Sequence, residues 1–293
     1  MATRTASLAP DNGTDASFRL WINEIHNALI AFGWLQTGDT GQINFSTVTR
    51  PVAINTYQGF AIYKMNDSLQ STCAVFMRID FGTCATTNVA GIKVRVGIGS
   101  TDGAGNLTGN LMNTVTTTTS AVGSVSTFNC RTSGNASSFR MHFWSTSLAG
   151  HGWTFVVERD KDTSGAETGL GVNIALEYPT SGTTGFAIMS QFLETAGGVG
   201  FVAPNWVAFV SSQPSQSGGG NIGVGPVRCP LGPFRNPMIG LLLFARLDMA
   251  MESTNPVTIY GTSHTYLMLR PNLGGVVAAN TWNPDCGMAI LWE

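Results

Sequence analysis

The side chains of this sequence that could do chemistry are few, and their spacing limits the reactions open to them. Four imidazoles are present, His26, His142, His151 and His264. Histidine suits proton transfer near neutrality and metal ligation, but none of the four stands in an HExxH or comparable ligand spacing. His26, beside Glu24 and Asn27, reads as a solvated or capped ring. His142 and His151 lie nine residues apart across the turn 145–150, so adjacent strands could bring them together. Two ligands still lack the third that a metal centre requires.

The segment Asp160-Lys161-Asp162-Thr163-Ser164-Gly165 places oxygens at alternate positions, as the opening of a calcium loop does. Position twelve of such a loop must be a bidentate glutamate, and here it is Gly171; the segment is expected to be a hairpin turn. Ser263-His264 puts a hydroxyl beside a base with no carboxylate near in sequence to orient it. A Gly-x-Ser-x-Gly elbow between strand and helix is missing. Gly97-x-Gly99 and Gly103-x-Gly105 precede neither Lys-Ser/Thr nor a helix onset, so they read as turns, not phosphate cradles. The five cysteines, Cys73, Cys84, Cys130, Cys229 and Cys286, form no CxxC pair and read as reduced apolar residues made in a cytoplasm, with a Cys73–Cys84 bridge the one pairing left open. Paired carboxylates for glycan cleavage have only 17 acidic residues to draw on, most of them in expected turns. The expectation is a protein that is not an enzyme, with no catalytic, cofactor or metal site. Trp144, Trp153, Trp206 and Trp282 are the candidate ligand-facing aromatics, although tryptophan in a strand serves a core or an interface equally well.

The elements that must position these residues are mostly strands. From Thr14 to Phe32 the apolar residues Phe18, Trp21, Ile22, Ile25, Leu29 and Phe32 recur at three- and four-residue steps and predict one amphipathic helix. Thr14 or Asp15 caps its start and Gly33 ends it. The stripe Phe18, Trp21, Ile22, Ile25 and Leu29 has two uses: it lies on the β core, or it packs on a neighbouring subunit as an assembly arm. Beyond Gly33 the period changes to two. Val75, Met77, Ile79 and Phe81 share one face of a segment whose other face carries Arg78 and Asp80, and Ile92, Val94, Val96 and Ile98 alternate with Lys93 and Arg95. Similar segments at 139–144, 153–159, 171–177, 185–190, 206–210, 238–247, 257–260, 266–269 and 287–292 bring the expected strands to about eleven to thirteen.

With no βα alternation, the fold class is mainly β: an antiparallel β-sandwich-like body over 41–293, preceded by an N-terminal arm and one short helix over 1–40. The hydroxyl- and glycine-rich stretches 100–126 and 211–225 are expected as surface loops; one β unit is expected, with a boundary between two sheets or subdomains left open near 211–237.

Charge sharpens the functional reading. Asp, Glu, Lys and Arg make up 11% of the 293 residues while apolar residues make up 43%, against a usual charged share of about 25%. A dispersed domain keeps ions on its surface. A chain this poor in them is expected to be covered by other protein, as in a symmetric homo-oligomer, a trimer or a ring. A net charge of −2 and the absence of basic, aromatic-interleaved patches predict no nucleic-acid partner. The apolar run Met238–Ala245 is far short of the about 20 residues of a membrane helix, and Met1–Thr14 lacks the apolar core of a secretory leader; no membrane partner is expected.

Several phrases also resemble a known set of proteins. GWLQTGDTGQI (33–43), TRP (49–51), MNDSLQ (65–70), FMRID (76–80), GIGSTDGAGNLTG (97–109) and the closing MAILWE (288–293) resemble virion-associated structural proteins encoded among the tail and head genes of tailed bacteriophages and prophages. The resemblance implies no catalytic residue. It implies a structural protein of the virion, assembled in the bacterial cytoplasm with other virion proteins as partners. A tail-associated appendage (fibre, collar or adsorption component) is the first expectation; a capsid decoration or cement protein, or a module binding host-surface glycan at a fibre tip, are the alternatives.

Overall fold

The computed structural model describes residues 1–10, 13–85, 88–117, 127–145, 152–162, 164–180, 183–193, 199–203, 223–228, 237–245, 252–259, 261–270 and 286–293. Among them are 18 strands in three antiparallel sheets, one α-helix and one 3₁₀ turn. The mainly β, antiparallel, sandwich-like class with a single N-terminal helix is what the structure has.

A central sheet runs in the order β1 (Ala2–Leu8), β8 (Phe128–Asn135), β9 (Ser138–Ser145), β10 (Gly152–Lys161), β11 (Glu167–Thr180), β12 (Thr183–Phe192) and β13 (Val199–Ala203). A helix-side sheet runs β2 (Leu35–Gln36), β3 (Tyr57–Lys64), β4 (Val75–Thr83), β5 (Ala90–Thr101) and β6 (Leu107–Leu111), with β7 (Val115–Thr116) pairing on β5. An outer sheet runs β14 (Gly223–Arg228), β15 (Pro237–Ala245), β18 (Cys286–Leu291), β17 (Thr262–Arg270) and β16 (Thr254–Ile259).

Register turns alternation into layers, because successive side chains point to opposite faces. On β9 and β10, Phe139, Met141, Phe143, Trp153, Phe155 and Val157 join the same core as Val75, Met77, Ile79 and Phe81 of the helix-side sheet. Each such buried side chain contributes roughly 1.5–3 kcal/mol relative to exposure. The helix α1 (Asp15–Ala31) packs into this core between the two sheets: Trp21 meets Phe81 edge-on at 6.4 Å and Phe143 at 6.0 Å. Thr14 caps it by accepting from the Ser17 amide at 3.2 Å, and the chain leaves it through Gly33 at φ +97°.

Three expectations are corrected here. Phe18, Trp21, Ile22, Ile25 and Leu29 are at most 1% exposed within this chain, so they form its own core and no assembly arm. Nor are residues 1–40 an appendage. β1 pairs along its full length with β8, and Arg4 grips Glu24 of α1 through two contacts of 2.9 Å, which ties arm and helix into the body. Finally, Cys73 and Cys84 are free, buried and at opposite ends of the nine-residue β4, about 30 Å of extended chain apart; they cannot form a bridge.

Among the described residues, no helix is long and apolar enough to cross a membrane. The segment 211–237, where the sequence leaves a boundary open, contains β14, the first strand of the outer sheet.

The outer sheet, which carries its own apolar cluster of Ile239, Leu242, Tyr266, Met268 and Leu291, packs on the other face of the central one, and buried polar contacts cross that interface. Arg140 and Glu158, across β9 and β10, form an ion pair at 3.1 Å with side chains 2% and 0% exposed, and Glu158 also accepts from the Gly240 amide of β15 at 2.9 Å. The Ser133 hydroxyl donates to the Leu291 carbonyl across the interface, and within the outer sheet the Tyr266 hydroxyl donates to the Ile239 carbonyl at 2.7 Å. The residue after Glu158 faces the opposite way. Arg159 holds both Asp67 carboxylate oxygens through Nε and Nη2, with Nη2 to Oδ1 at 2.7 Å, and donates from Nη1 to the Cys73 carbonyl at 2.9 Å. Two consecutive residues of β10 thus anchor one partner on each side of the central sheet.

Candidate functional site: a pocket on the open face of the helix-side sheet

The residues singled out in the sequence do not converge. Trp153 is fully buried in the main core and Trp144 is 5% exposed, stacked on His142 at 4.5 Å with Arg131 5.3 Å from its ring. Neither faces a ligand, because the outward rows of β9 and β10 lie under the outer sheet. Trp206, Trp282 and His151 lie outside the described residues. Register sets Thr154 opposite His142, and the two side chains hydrogen-bond at 2.8 Å.

His264 does meet a carboxylate, which sequence reading had missed. The β17–β18 pairing brings Glu293 to within 2.6 Å of its Nδ1. Ser263 is its neighbour along the strand and so points to the other face, and no triad forms. The calcium-like segment is a turn: Asp162 Oδ1 accepts from the Ser164 amide at 2.8 Å, the Ser164 hydroxyl at 2.6 Å and the Ala166 amide at 3.0 Å. These bonds, the Ser164 hydroxyl first, hold the Asp162 carboxyl below its ordinary range. Among the described residues no three His, Cys, Asp or Glu side chains gather as a metal would require.

A pocket forms elsewhere. The outward face of the helix-side sheet carries Lys64, Phe76, Arg78, Asp80, Lys93 and Arg95, since their neighbours along the strands, Tyr63, Met77, Ile79, Val94 and Val96, turn inward. Two loops cross part of this face and lock to one another. Thr40 donates from its amide at 2.9 Å and its hydroxyl at 3.1 Å to the Gly103 carbonyl, and the Gly105 amide donates to Asp39 Oδ1 at 3.3 Å.

Each loop is stapled beneath. The Gln42 amide nitrogen donates to the carbonyls of Thr37 at 2.7 Å and Asp39 at 3.2 Å, while its oxygen accepts from the Ile62 amide at 2.8 Å. Asp102 accepts from the Asn106 side chain at 2.7 Å and from the Ala104 and Asn106 amides, and these bonds hold its carboxyl below the usual range. Arg78 lies 4.1 Å over the Phe60 ring and donates to the Gly105 carbonyl at 2.6 Å. Gly105 sits at φ +100°, where any Cβ would come within 2.2 Å of Phe60; only glycine lets the loop lie this close.

Beside these loops lies a cavity of about 450 Å³, at the small end of the ligand-pocket range. Lys64 and Phe76 line it from β3 and β4, Leu35 and Gln36 from β2 with Thr37, Gly38 and Asp39 from the loop that follows, and Ser100 and Thr101 from the end of β5 with Gly103 from the loop beyond it. Phe76 and Lys64 are half-buried and Leu35 is exposed. Among the described residues no carboxylate pairs with Lys64. The Thr37 hydroxyl oxygen is buried without a hydrogen-bond partner. The lining offers one aromatic side chain, one cation, one carboxylate and several hydroxyl oxygens.

Sequence reading did not single out these residues for function, because they come from four stretches that only the fold brings together. One signal was present. GWLQTGDTGQI and GIGSTDGAGNLTG, two of the phrases that carry the resemblance, are the two pocket loops. A third, MNDSLQ, supplies the Asp67 clamp.

No family model, curated protein or solved structure matches this chain. Fold and site therefore define a class only, a three-layered antiparallel β protein with a surface pocket beside stapled loops.

Proposed function

We propose that this protein is a structural subunit of a tailed-phage virion, a tail-associated appendage that works by subunit–subunit assembly and not by catalysis. The observation that carries the reading is the scarcity of free charge. Only 32 of 293 side chains are Lys, Arg, Asp or Glu (15 + 17). Six of the 15 cations, Arg4, Arg78, Arg131, Arg140, Arg159 and Lys161, are already paired within the chain to Glu24, Asp80, Glu252, Glu158, Asp67 and Glu167. Ions spent internally do little to keep copies apart in solution, and a neutral, hydroxylated exterior suits burial against other subunits.

Open edges support the same reading. Among the described residues, β1 and β13 end the central sheet and β14 and β16 end the outer one; strand edges are templates for further strands. Loops stapled on a rigid sheet suit a surface component, since function concentrates on loops that a scaffold holds still. The partners on this reading are other copies in closed symmetry and neighbouring virion proteins, met in the host cytoplasm during assembly.

Proteomics and cryo-EM of purified particles test it. The expected result is the protein in mature virions at a few to a dozen copies on the tail. Hundreds of copies on the head would replace the appendage with a capsid decoration, and absence from washed particles would remove the virion role.

A further inference from the structure

We infer that the pocket between the 35–39 and 100–103 loops is a binding site for an acidic sugar, a pyranose ring bearing a carboxylate. The inference does not depend on the virion reading, because it rests on the pocket alone.

The cavity of about 450 Å³ opens on the sheet surface, so its occupant keeps part of its surface in water. That excludes a mainly apolar ligand, whose affinity requires most of its area to be enclosed. The lining is of three kinds. Phe76 offers a half-buried aromatic side chain, and the C–H face of a pyranose is the hydroxylated ligand surface that suits such a ring. Ser100, Thr101 and Asp39 contribute oxygens from two loops, and Asp39 is held in place through one carboxylate oxygen by the Gly105 amide.

Lys64 decides the charge. In a chain that pairs six of its cations internally, this ammonium lines the pocket with no carboxylate partner among the described residues. A ligand carboxylate completes it with charge-assisted hydrogen bonds. The loops are stapled before any ligand arrives, so binding orders little new backbone.

Two substitutions test the site without dismantling the fold. Lys64→Met keeps the aliphatic stem and removes the charge. Gly38→Phe fills the cavity, since a Cβ added at Gly38 meets nothing within 4 Å. With the full chain, saturation-transfer NMR and calorimetry would use D-glucuronate and D-glucose as probes, and thermal unfolding would report the integrity of each variant.

The expected result is saturable binding of glucuronate, tighter than glucose; loss of about tenfold in glucuronate affinity in K64M with glucose unchanged; and loss of both in G38F with unfolding unaltered. No saturable binding of either sugar to the natural protein overturns the site, as does binding that survives Gly38→Phe in a folded variant. Equal affinity for the two sugars, or glucuronate affinity untouched by Lys64→Met, overturns the acidic assignment.

Discussion

The two faces of the central sheet are built on opposite principles. Its inner face meets the helix and the helix-side sheet through aromatic and aliphatic side chains, with Trp21, Phe139, Phe143, Trp153 and Phe155 all at 1% exposure or less. Its outer face meets the outer sheet through Arg140, Glu158, Ser133 and the Gly240 amide. Apolar packing is strong and tolerant of small shifts, whereas a buried ion pair adds little net stability but penalises every misplaced partner. The first interface holds the domain together; the second fixes where the outer sheet sits. Because β10 presents Glu158 to one side and Arg159 to the other, a single strand carries both registers.

Substitutions can break that contrast. Trp21→Ala, which empties the space between Phe81 and Phe143, is expected to cost about 3–5 kcal/mol, read as a lowered denaturation midpoint in urea. Arg140→Met, which leaves Glu158 buried and uncompensated, is expected to cost about 3 kcal/mol. Adding Glu158→Leu to it should recover most of that loss, to within about 1 kcal/mol of the natural protein. Failure of the double variant to recover would mean that the outer interface depends on the pair for strength and not for placement. Tyr266→Phe, which deletes one hydroxyl bonded to the Ile239 carbonyl, should cost about 1 kcal/mol in the same assay.

Acid gives the smallest effect. Burial holds the His26 imidazolium below its ordinary value of 6.5, and its Nδ1 lies 3.0 Å from the Tyr63 hydroxyl. Above pH 6.5 the ring is neutral in both folded and unfolded chains and contributes no pH slope. As pH falls through 6.5 the unfolded chain binds a proton that the fold resists, so stability declines. Unfolding temperature measured from pH 7.5 to 5.5 should fall for the natural protein and fall less for His26→Gln.

What the sequence made legible follows from locality. The helix could be read because its stripe and its Thr14 cap lie within one continuous segment. β4 and β5 could be read because Val75–Phe81 and Ile92–Ile98 alternate cleanly. β1 could not, since an edge strand with Thr3, Thr5 and Ser7 exposed and only Ala6 and Leu8 against the core has almost no apolar period. β14 was hidden for a similar reason, its short Gly-Val-Gly-Pro-Val-Arg run being interrupted by a proline and a register shift. The pocket was illegible as a site because Lys64, Phe76 and the two loops meet only through sheet register, as do His264 and Glu293. The tryptophans misled because size and aromaticity mark a core as readily as a platform.

The contrast between the faces bears on assembly. The ion pairs that set the layers draw on a small store of charge, and on the proposed reading other subunits cover the charge-poor exterior. Sedimentation-velocity ultracentrifugation of the purified full chain over a range of concentrations tests this claim most directly. The account predicts one discrete closed oligomer, such as a trimer or a larger ring, that persists on dilution and in raised salt. A lone monomer, soluble at every concentration, would contradict it.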